Sequence, residues 1–150
     1  MKMKFKSIAI IAISAVFFAS CDKKESPTIS LTELGYDNTK TVQQGTDLHI
    51  DAEILADLKI ASIQIIIHSE EAHAAVSPMK IANNAQEVTE WAVDSIYTKG
   101  YAGVKNADFH EHLEVPATAE LGHYHFHMKV TDMDGNQTIK EDEIEVLAGN

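Results

Sequence analysis

The chain has 150 residues with 23 acidic side chains, 12 lysines and no arginine, and its formal net charge is −11 at pH 7. Such a surface repels phosphate groups, so the composition argues against nucleic acid and anionic lipid head groups as partners and favours the approach of cations. The length suits one domain with one core.

The first twenty residues are typical of a targeting segment. Three lysines within the first six residues form a basic start, and residues 8–18 form an apolar run that is too short to span a bilayer. The following Phe18-Ala19-Ser20-Cys21 resembles a lipobox, in which small residues precede a cysteine that is lipidated and becomes the mature N-terminus. We predict a signal peptide over residues 1–20, the alternative being an ordinary cleaved signal with an incidental cysteine.

Cys21 is the only cysteine, so with a lipid on it no thiol remains for a disulfide, a nucleophile or a thiolate metal site. Cleavage before it leaves nine lysines and 23 acids, a formal charge of −14. Residues 21–27 are charged and end in proline, which predicts a lipidated tether. A domain over residues 28–150 would then lie at a membrane surface, held by lipid rather than inserted.

The first part of the predicted domain alternates between apolar and polar residues. A strand is expected to begin at Thr28, with Ile29 and Leu31 facing inward, and Gly45-Thr46 marks a turn. Residues 47–57 then alternate, and the inward face is Leu48, Ile50, Ala52 and Ile54. His49 falls on the outward face, where we interpret it as a solvent-facing strand residue rather than a ligand.

Residues 59–69 are the most β-branched segment and predict a central strand, with the inward face formed by Ala61, Ile63, Ile65 and Ile67. His68 falls on its outward face. Residues 70–106 form a long insertion with a looser pattern. In it we expect a helical turn over residues 70–75, a short strand or flap carrying Trp91, and a turn at Gly100 bracketed by Tyr97 and Tyr101.

Two later segments carry most of the histidines. Residues 109–115 place His110 and His112 outward, while Glu111 breaks the inward apolar face and is expected near a strand end. After Gly122, one strand face carries His123, His125 and His127, and the other carries Tyr124, Phe126, Met128 and Val130. Asp134-Gly135 predicts a hairpin turn, and the last strand is expected over residues 138–147.

Short strands recur between turn signals and no segment has a sustained helical period, which predicts an all-β protein. Residues 122–136 resemble the last hairpin of immunoglobulin-like domains. We therefore expect an immunoglobulin-like β-sandwich with a long insertion in the middle of the domain, preceded by a lipoprotein signal peptide.

Several of these segments resemble one family more closely. They are Ile60-x-x-Ile63-x-Ile65-x-Ile67-His68, Trp91, Tyr101-x-Gly103-x-Lys105-Asn106, Phe109-His110-Glu111-His112, and Gly122-x-Tyr124-His125 running into Val130-Thr131-Asp132. Together they cover most of the mature chain, and Phe-His-Glu-His is the most specific. The chain is similar to small envelope lipoproteins of the Bacteroidota catalogued as domain of unknown function 4625. The resemblance implies an envelope location and a sandwich fold, and no activity.

The crowded histidines predict a transition-metal site. Imidazole is mostly neutral at neutral pH and suits zinc, copper or nickel where thiolates are absent. The candidate ligands are His68, His110, His112, His123, His125 and His127. His123 and His127 are about 13 Å apart along a strand, so they cannot share one ion. The expected set is His125 with one neighbour, completed by His110 or His112 and by His68 as a further candidate, provided that strands of opposite sheets meet.

Two other interpretations stay open at this stage. The histidines could hold haem or another planar ligand, or they could bind nothing on a solvated sheet face. Asp132, Asp134 and Asn136 suggest calcium, but the glycine falls at the fourth loop position instead of the sixth, which favours a turn. No catalytic motif is present, although Glu111 beside two histidines could act as a base on metal-bound water.

The sequence thus predicts a non-enzymatic, lipid-anchored domain of the cell envelope that binds zinc or copper. We expect the outer membrane, with the periplasmic or surface face undecided. The alternative is a surface interaction module that binds glycan, protein or haem through the insertion around Trp91, Tyr97 and Tyr101.

Overall fold

The computed structural model describes residues 25–70 and 88–149, which form two facing β-sheets. The strands are β1 (Thr28–Leu34), β2 (Thr41–Gln43), β3 (Asp47–Leu55), β4 (Ile60–Ser69), β5 (Val93–Tyr97), β6 (Asn106–Glu114), β7 (Gly122–Asp132) and β8 (Gln137–Leu147). A short 3₁₀ turn at Tyr36–Asn38 follows β1. None of the helical segments in these two described ranges is long and apolar enough to cross a membrane.

The strand order confirms the immunoglobulin-like sandwich. One sheet has the order β1-β3-β6 and the other the order β2-β8-β7-β4-β5. Neighbours are antiparallel except β2, which pairs in parallel with β8. This arrangement corresponds to an A-B-E sheet facing a G-F-C sheet that is extended at both edges. Consecutive strands β3 and β4 therefore lie in opposite sheets, and so do β6 and β7.

Alternation along the strands builds the core as predicted. Leu48, Ile50 and Ile54 of β3 are fully buried, and so are Phe126, Met128 and Val130 of β7. Phe109 is buried in β6, so its neighbours in sequence point outward. Side chains of a strand alternate between its two faces. Because one set of alternate side chains is buried in each strand, the histidines between them lie on an outer surface.

Two details of the predicted strands are wrong, one a face and one a position along the strand. Ala61 was expected inside, but a register shift between Ile60 and Ser62 turns Ile60 into the core instead. Glu111 was expected near a strand end, but it lies in the middle of β6, paired with Ile50. It is tolerated on the inward side because β6 is an edge strand, where a half-buried carboxylate still reaches water.

Tyr124 fastens the start of β7 to the preceding loop. Its buried hydroxyl donates a 2.8 Å hydrogen bond to the carbonyl oxygen of Glu120, and its ring lies 5.7 Å from that of Trp91. This is the tyrosine corner of immunoglobulin-like domains, in which a cysteine follows two residues later. Here that position is Phe126, so a buried ring replaces a disulfide in the centre of the sandwich.

The β7–β8 hairpin uses its carboxylate for the turn rather than for calcium. Asp132, which is 2% exposed, accepts hydrogen bonds from the backbone nitrogens of Asp134 and Asn136 and from the Asn136 side chain, at 3.0, 2.8 and 2.8 Å. Burial alone would raise the pKa of Asp132, but these hydrogen bonds together lower it below its ordinary value. The turn interpretation is therefore supported.

Some predicted features lie outside the described residues. These are the signal peptide, Cys21 and residues 71–75 of the expected helical turn. A short strand or flap carrying Trp91 was expected, and the structure shows the strand β5, which begins two residues after Trp91. The expected turn at Gly100 follows it.

We expect the two faces of β7 to differ sharply in their tolerance of truncation. Phe126→Ala should lower the free energy of unfolding by roughly 3–5 kcal/mol, because it empties a fully buried aromatic site. The neighbouring His125→Ala is the matched control and should change stability much less. Chemical denaturation of the metal-free proteins measures both, and a larger loss for His125→Ala would contradict the observed faces.

Candidate metal site

Three histidines meet on the outer face of the three-stranded sheet. The register pairs His49 of β3 directly with His112 of β6, and Asp51 with His110. Burial of Leu48 and Ile50 turns the β3 residues outward, and burial of Phe109 does the same for β6. We call His49, His110 and His112 the first histidine cluster.

The spacing of these rings suits a single metal ion. The ring centroids are 4.9 Å apart for His49 and His110, 4.8 Å for His49 and His112, and 5.0 Å for His110 and His112. In a tetrahedral site with metal–nitrogen distances of about 2.0–2.1 Å, imidazole centroids are separated by about 5 Å. One nitrogen from each ring also lies within 4.8 Å of one from each of the others.

Asp51 holds two of the three rings in place. Its carboxylate oxygens lie 2.8 Å from Nε2 of His49 and 2.6 Å from Nδ1 of His110. These hydrogen bonds, the one from His49 foremost, lower the pKa of Asp51, so it is ionised and can only accept. In the neutral form of each ring the nitrogen that contacts Asp51 carries the proton, which leaves the lone pair on Nδ1 of His49 and on Nε2 of His110. A carboxylate behind the ring is the usual arrangement for metal-binding histidines.

Nδ1 of His49 is the nitrogen that this arrangement leaves for a ligand. It is buried, and it has no hydrogen-bond partner among the residues that the structure describes. The His49 side chain is 12% exposed, against 57% for His110. One side of the cluster is therefore shielded from solvent and the other is open to it. A buried imidazole nitrogen with a lone pair and no donor facing it is what a metal ligand requires before the ion arrives.

A strained loop borders the cluster. The ring of Tyr36 lies 5.2 Å from that of His49 and 6.3 Å from that of His112. Positive φ angles occur next to it at Asp37, Asn38 and Lys40, with values of 55°, 54° and 58°. Such conformations cost on the order of 1 kcal/mol each and tend to persist near functional sites.

A carboxylate at the end of β1 also lies near His49. Oε2 of Glu33 lies 3.6 Å from Nε2 of His49, and Oε1 of Glu33 accepts a 2.7 Å hydrogen bond from the backbone nitrogen of Asp37. Glu33, His49 and Asp51 form a second group of possible ligand atoms that shares His49 with the first histidine cluster. The carboxylates of this group face the nitrogen that carries the proton, so we assign them an orienting role.

The remaining candidate histidines lie on the opposite sheet. His68 of β4 and His125 of β7 are register partners, and their ring centroids are 5.3 Å apart. His127 lies 5.5 Å from His68 and 6.3 Å from His125. We call His68, His125 and His127 the second histidine cluster. His123 is exposed near the start of β7, where its register partner is Glu145 of β8.

The prediction that both groups form one site is wrong. His110 and His112 belong to the three-stranded sheet and His125 and His127 to the five-stranded sheet, so their outer faces point away from each other. His49 was predicted to be a solvent-facing residue, and it is instead the central member of the first histidine cluster. Its outward position opposite the other two depends on the pairing of β3 with β6, which spacing along the chain does not reveal.

The aromatic residues of the insertion contribute to the core. Trp91 is 4% exposed, and the rings of Tyr97 and Tyr101 lie 5.1 Å and 5.5 Å from that of buried Phe109. Burial, together with the charge of Glu111, raises the pKa of both tyrosines. Glu111 therefore lies on the tyrosine side of β6, away from the histidines that flank it in sequence.

The contact of Asp51 with two imidazoles predicts an unusually acidic carboxyl group. In metal-free protein its pKa should lie below the ordinary value of 3.8, and it should rise when His49→Ala removes the first donor. Because the folded-state pKa is the lower one, the stabilisation is complete above the unfolded-state pKa and is lost as pH falls through the folded-state value. Carboxyl NMR titration measures the pKa, with exposed Asp94 as the internal control. An Asp51 pKa unchanged by His49→Ala would contradict the contact.

Solved structures with a related shape share little sequence with the chain. The GspB Siglec domain is 16% identical with a TM-score of 0.49, and the match covers 83% of this chain and 59% of that one. A Niemann-Pick type C2 protein from Japanese carpenter ant is 8% identical with a TM-score of 0.46, covering 83% and 95%. Murine CRIg is 15% identical with a TM-score of 0.36, covering 84% and 100%. Similarity at this level carries no information on function.

The family comparison is more specific. No curated protein matches the chain. Residues 19–147 match the family described as Domain of unknown function (DUF4625). The matched range contains both histidine clusters and all eight strands of the β-sandwich. The chain therefore belongs to this family of domains of unknown function, as its histidine and tyrosine motifs predicted.

Proposed function

We propose that this domain binds a divalent transition metal ion, zinc or copper, through the first histidine cluster. The observation that carries the proposal is the buried Nδ1 of His49, which has no hydrogen-bond partner and belongs to a ring about 5 Å from two others. Leaving such a group unsatisfied costs roughly 1–3 kcal/mol. A bound ion would use the same lone pair and offset that cost.

The ligand chemistry favours a borderline metal. Imidazole nitrogens without thiolates suit zinc and copper, whereas magnesium and calcium prefer sets of oxygen ligands. Asp51 adds negative charge behind two of the rings and raises their basicity, which strengthens binding to the ion. The acidic surface of the whole chain would further favour cation approach.

The same geometry supports binding or transfer rather than catalysis. Glu111 is the carboxylate that the sequence places between His110 and His112, yet it lies on the other face of β6, near Tyr97 and Tyr101. It therefore cannot act as a base on water held by those histidines. The packing of Trp91, Tyr97 and Tyr101 likewise disfavours the alternative in which they form an exposed binding surface.

Removing a ligand should weaken metal binding selectively. We expect His49→Ala and the double variant His110→Ala/His112→Ala each to lower the affinity of the tightest zinc site at least tenfold. The first leaves two imidazoles and the second leaves one, and neither number completes a three-ligand site. His123→Ala is the matched control, since this histidine is exposed and lies outside both clusters. Calorimetric titration of untagged, demetallated protein measures the affinities. An unchanged tightest site in His49→Ala would overturn the proposal.

The proposal includes a position at the envelope membrane. Cys21 in the lipobox-like sequence is the sole candidate for lipid attachment, and residues 22–27 would connect it to β1 at Thr28. A lipid there would hold the domain at the surface of the membrane, which we propose is the outer membrane, without requiring a spanning segment.

Cys21→Ala should release the protein from the membrane fraction or leave it as an uncleaved precursor, because no other thiol can carry the lipid. Palmitate labelling followed by fractionation provides the measurement. Since the substitution precedes the sandwich, the purified variant should keep wild-type zinc affinity, which serves as the folding control. Continued labelling of the variant would exclude this anchor.

A further inference from the structure

We propose a second, independent metal site on the five-stranded sheet, formed by the second histidine cluster together with Glu141. It uses no residue of the first histidine cluster and therefore does not depend on the function proposed above. Its ligand class is a divalent first-row transition metal ion held by imidazole and carboxylate.

The fold brings these side chains together from three strands. His68 of β4 pairs directly with His125 of β7, and His127 follows on the same outer face. On the other side of β7, the register places Glu141 of β8 opposite His127 and Glu143 opposite His125. Burial of Ile67, Phe126 and Met128 leaves no alternative face for the three histidines. Three neighbouring strands thus contribute the four candidate ligand groups, one from β4, two from β7 and one from β8.

The distances are close to those of a metal site but leave room for adjustment. The centroid separations of 5.3, 5.5 and 6.3 Å compare with about 5 Å for imidazoles around one tetrahedral ion. Nδ1 of His127 lies 3.4 Å from Oε1 of Glu141, so a carboxylate already borders the second histidine cluster. The His127 side chain is 26% exposed, and a turn of its ring toward a bound ion would shorten the longest separation.

The surroundings admit a hydrated cation. A depression of about 470 Å³ lies beside the cluster, lined by His125, His127, Glu141, Asp142 and Glu143. Lys40 neutralises Asp142 with a 2.8 Å contact, which leaves the charges of Glu141 and Glu143 directed at the histidines. Imidazoles beside these carboxylates supply both nitrogen and oxygen ligands, and the acidic surroundings attract a divalent ion.

This site should be weaker than the first. Its three nitrogens do not already lie within 4.8 Å of one another, as those of the first histidine cluster do, so binding must fix side-chain rotations. The two clusters lie on the outer faces of opposite sheets, whose planes are separated by about 10 Å plus the side chains. Ions bound on the two faces should therefore not influence each other's affinity.

The test is zinc stoichiometry by native mass spectrometry and calorimetry on untagged, demetallated protein. Wild type should bind two ions, with the second weaker. His125→Ala/His127→Ala should lose the weaker ion and keep the tighter one unchanged, whereas His49→Ala should lose the tighter one alone. His49→Ala therefore tests the first site and His125→Ala/His127→Ala tests the second, so either proposal can be contradicted without the other.

Three further variants distinguish a built site from a generic histidine pair. His68→Ala, on a different strand, should lower the weaker affinity at least tenfold, Glu141→Gln should lower it several-fold, and His123→Ala should leave it unchanged. Imidazole nitrogen NMR should show the ring signals of His68, His125 and His127 shifting together with zinc. One ion in wild type, or a second ion that persists in His68→Ala at full affinity, would overturn the proposal.

Discussion

The register between β3 and β6 is the constraint on which the candidate chemistry depends. With His49 opposite His112 and Asp51 opposite His110, three imidazoles and the carboxylate that orients two of them occupy adjoining positions on one surface. Side chains alternate faces with a period of two, so a shift by one residue would bury His49 and expose Leu48 or Ile50. The fully buried row of β3 makes that shift costly. Packing energy inside the sandwich thereby fixes the geometry outside it.

The core maintains that register without a covalent bond between the sheets. Phe126 fills the position where related sandwiches carry a cysteine, and the hydroxyl of Tyr124 fastens the start of the same strand. Hydrophobic burial across the two sheets must then supply the stability that a disulfide contributes elsewhere. The fold therefore does not depend on forming a disulfide, since the sole cysteine lies before the sandwich.

The two outer faces differ in how far they are prepared for a cation. On the three-stranded sheet, Asp51 already accepts from two rings and leaves a buried nitrogen without a partner, so most of the ordering cost is met during folding. On the five-stranded sheet His125 and His127 lie opposite glutamates of β8, and the ring separations are longer than those of the first histidine cluster. Both faces place imidazole rings beside carboxylates. The rings of the first histidine cluster are held in place more fully than those of the second histidine cluster.

Much of the fold could be predicted from the chain alone. Alternation in residues 47–55 and 122–132 identified which residues are buried, and Asp134-Gly135 identified the last hairpin, because these are local consequences of strand geometry and turn chemistry. The same alternation placed every candidate histidine in the described strands on an outward face. It failed at Ala61, where a bulge changes the phase. It placed Glu111 correctly on the inward side, but the strand end expected there is absent from β6, because an edge strand tolerates the charge.

The composition of each histidine cluster was decided only by the tertiary structure. Residues 110–112 and 123–127 are neighbours in sequence, yet they face opposite directions because their strands belong to different sheets. His49 precedes its partners by some sixty residues along the chain, as the contact of His110 with Asp51 across 59 positions illustrates. Which strands pair is set by the burial of apolar rows over the whole domain. Local periodicity determines the face of a side chain, whereas strand pairing determines its neighbours.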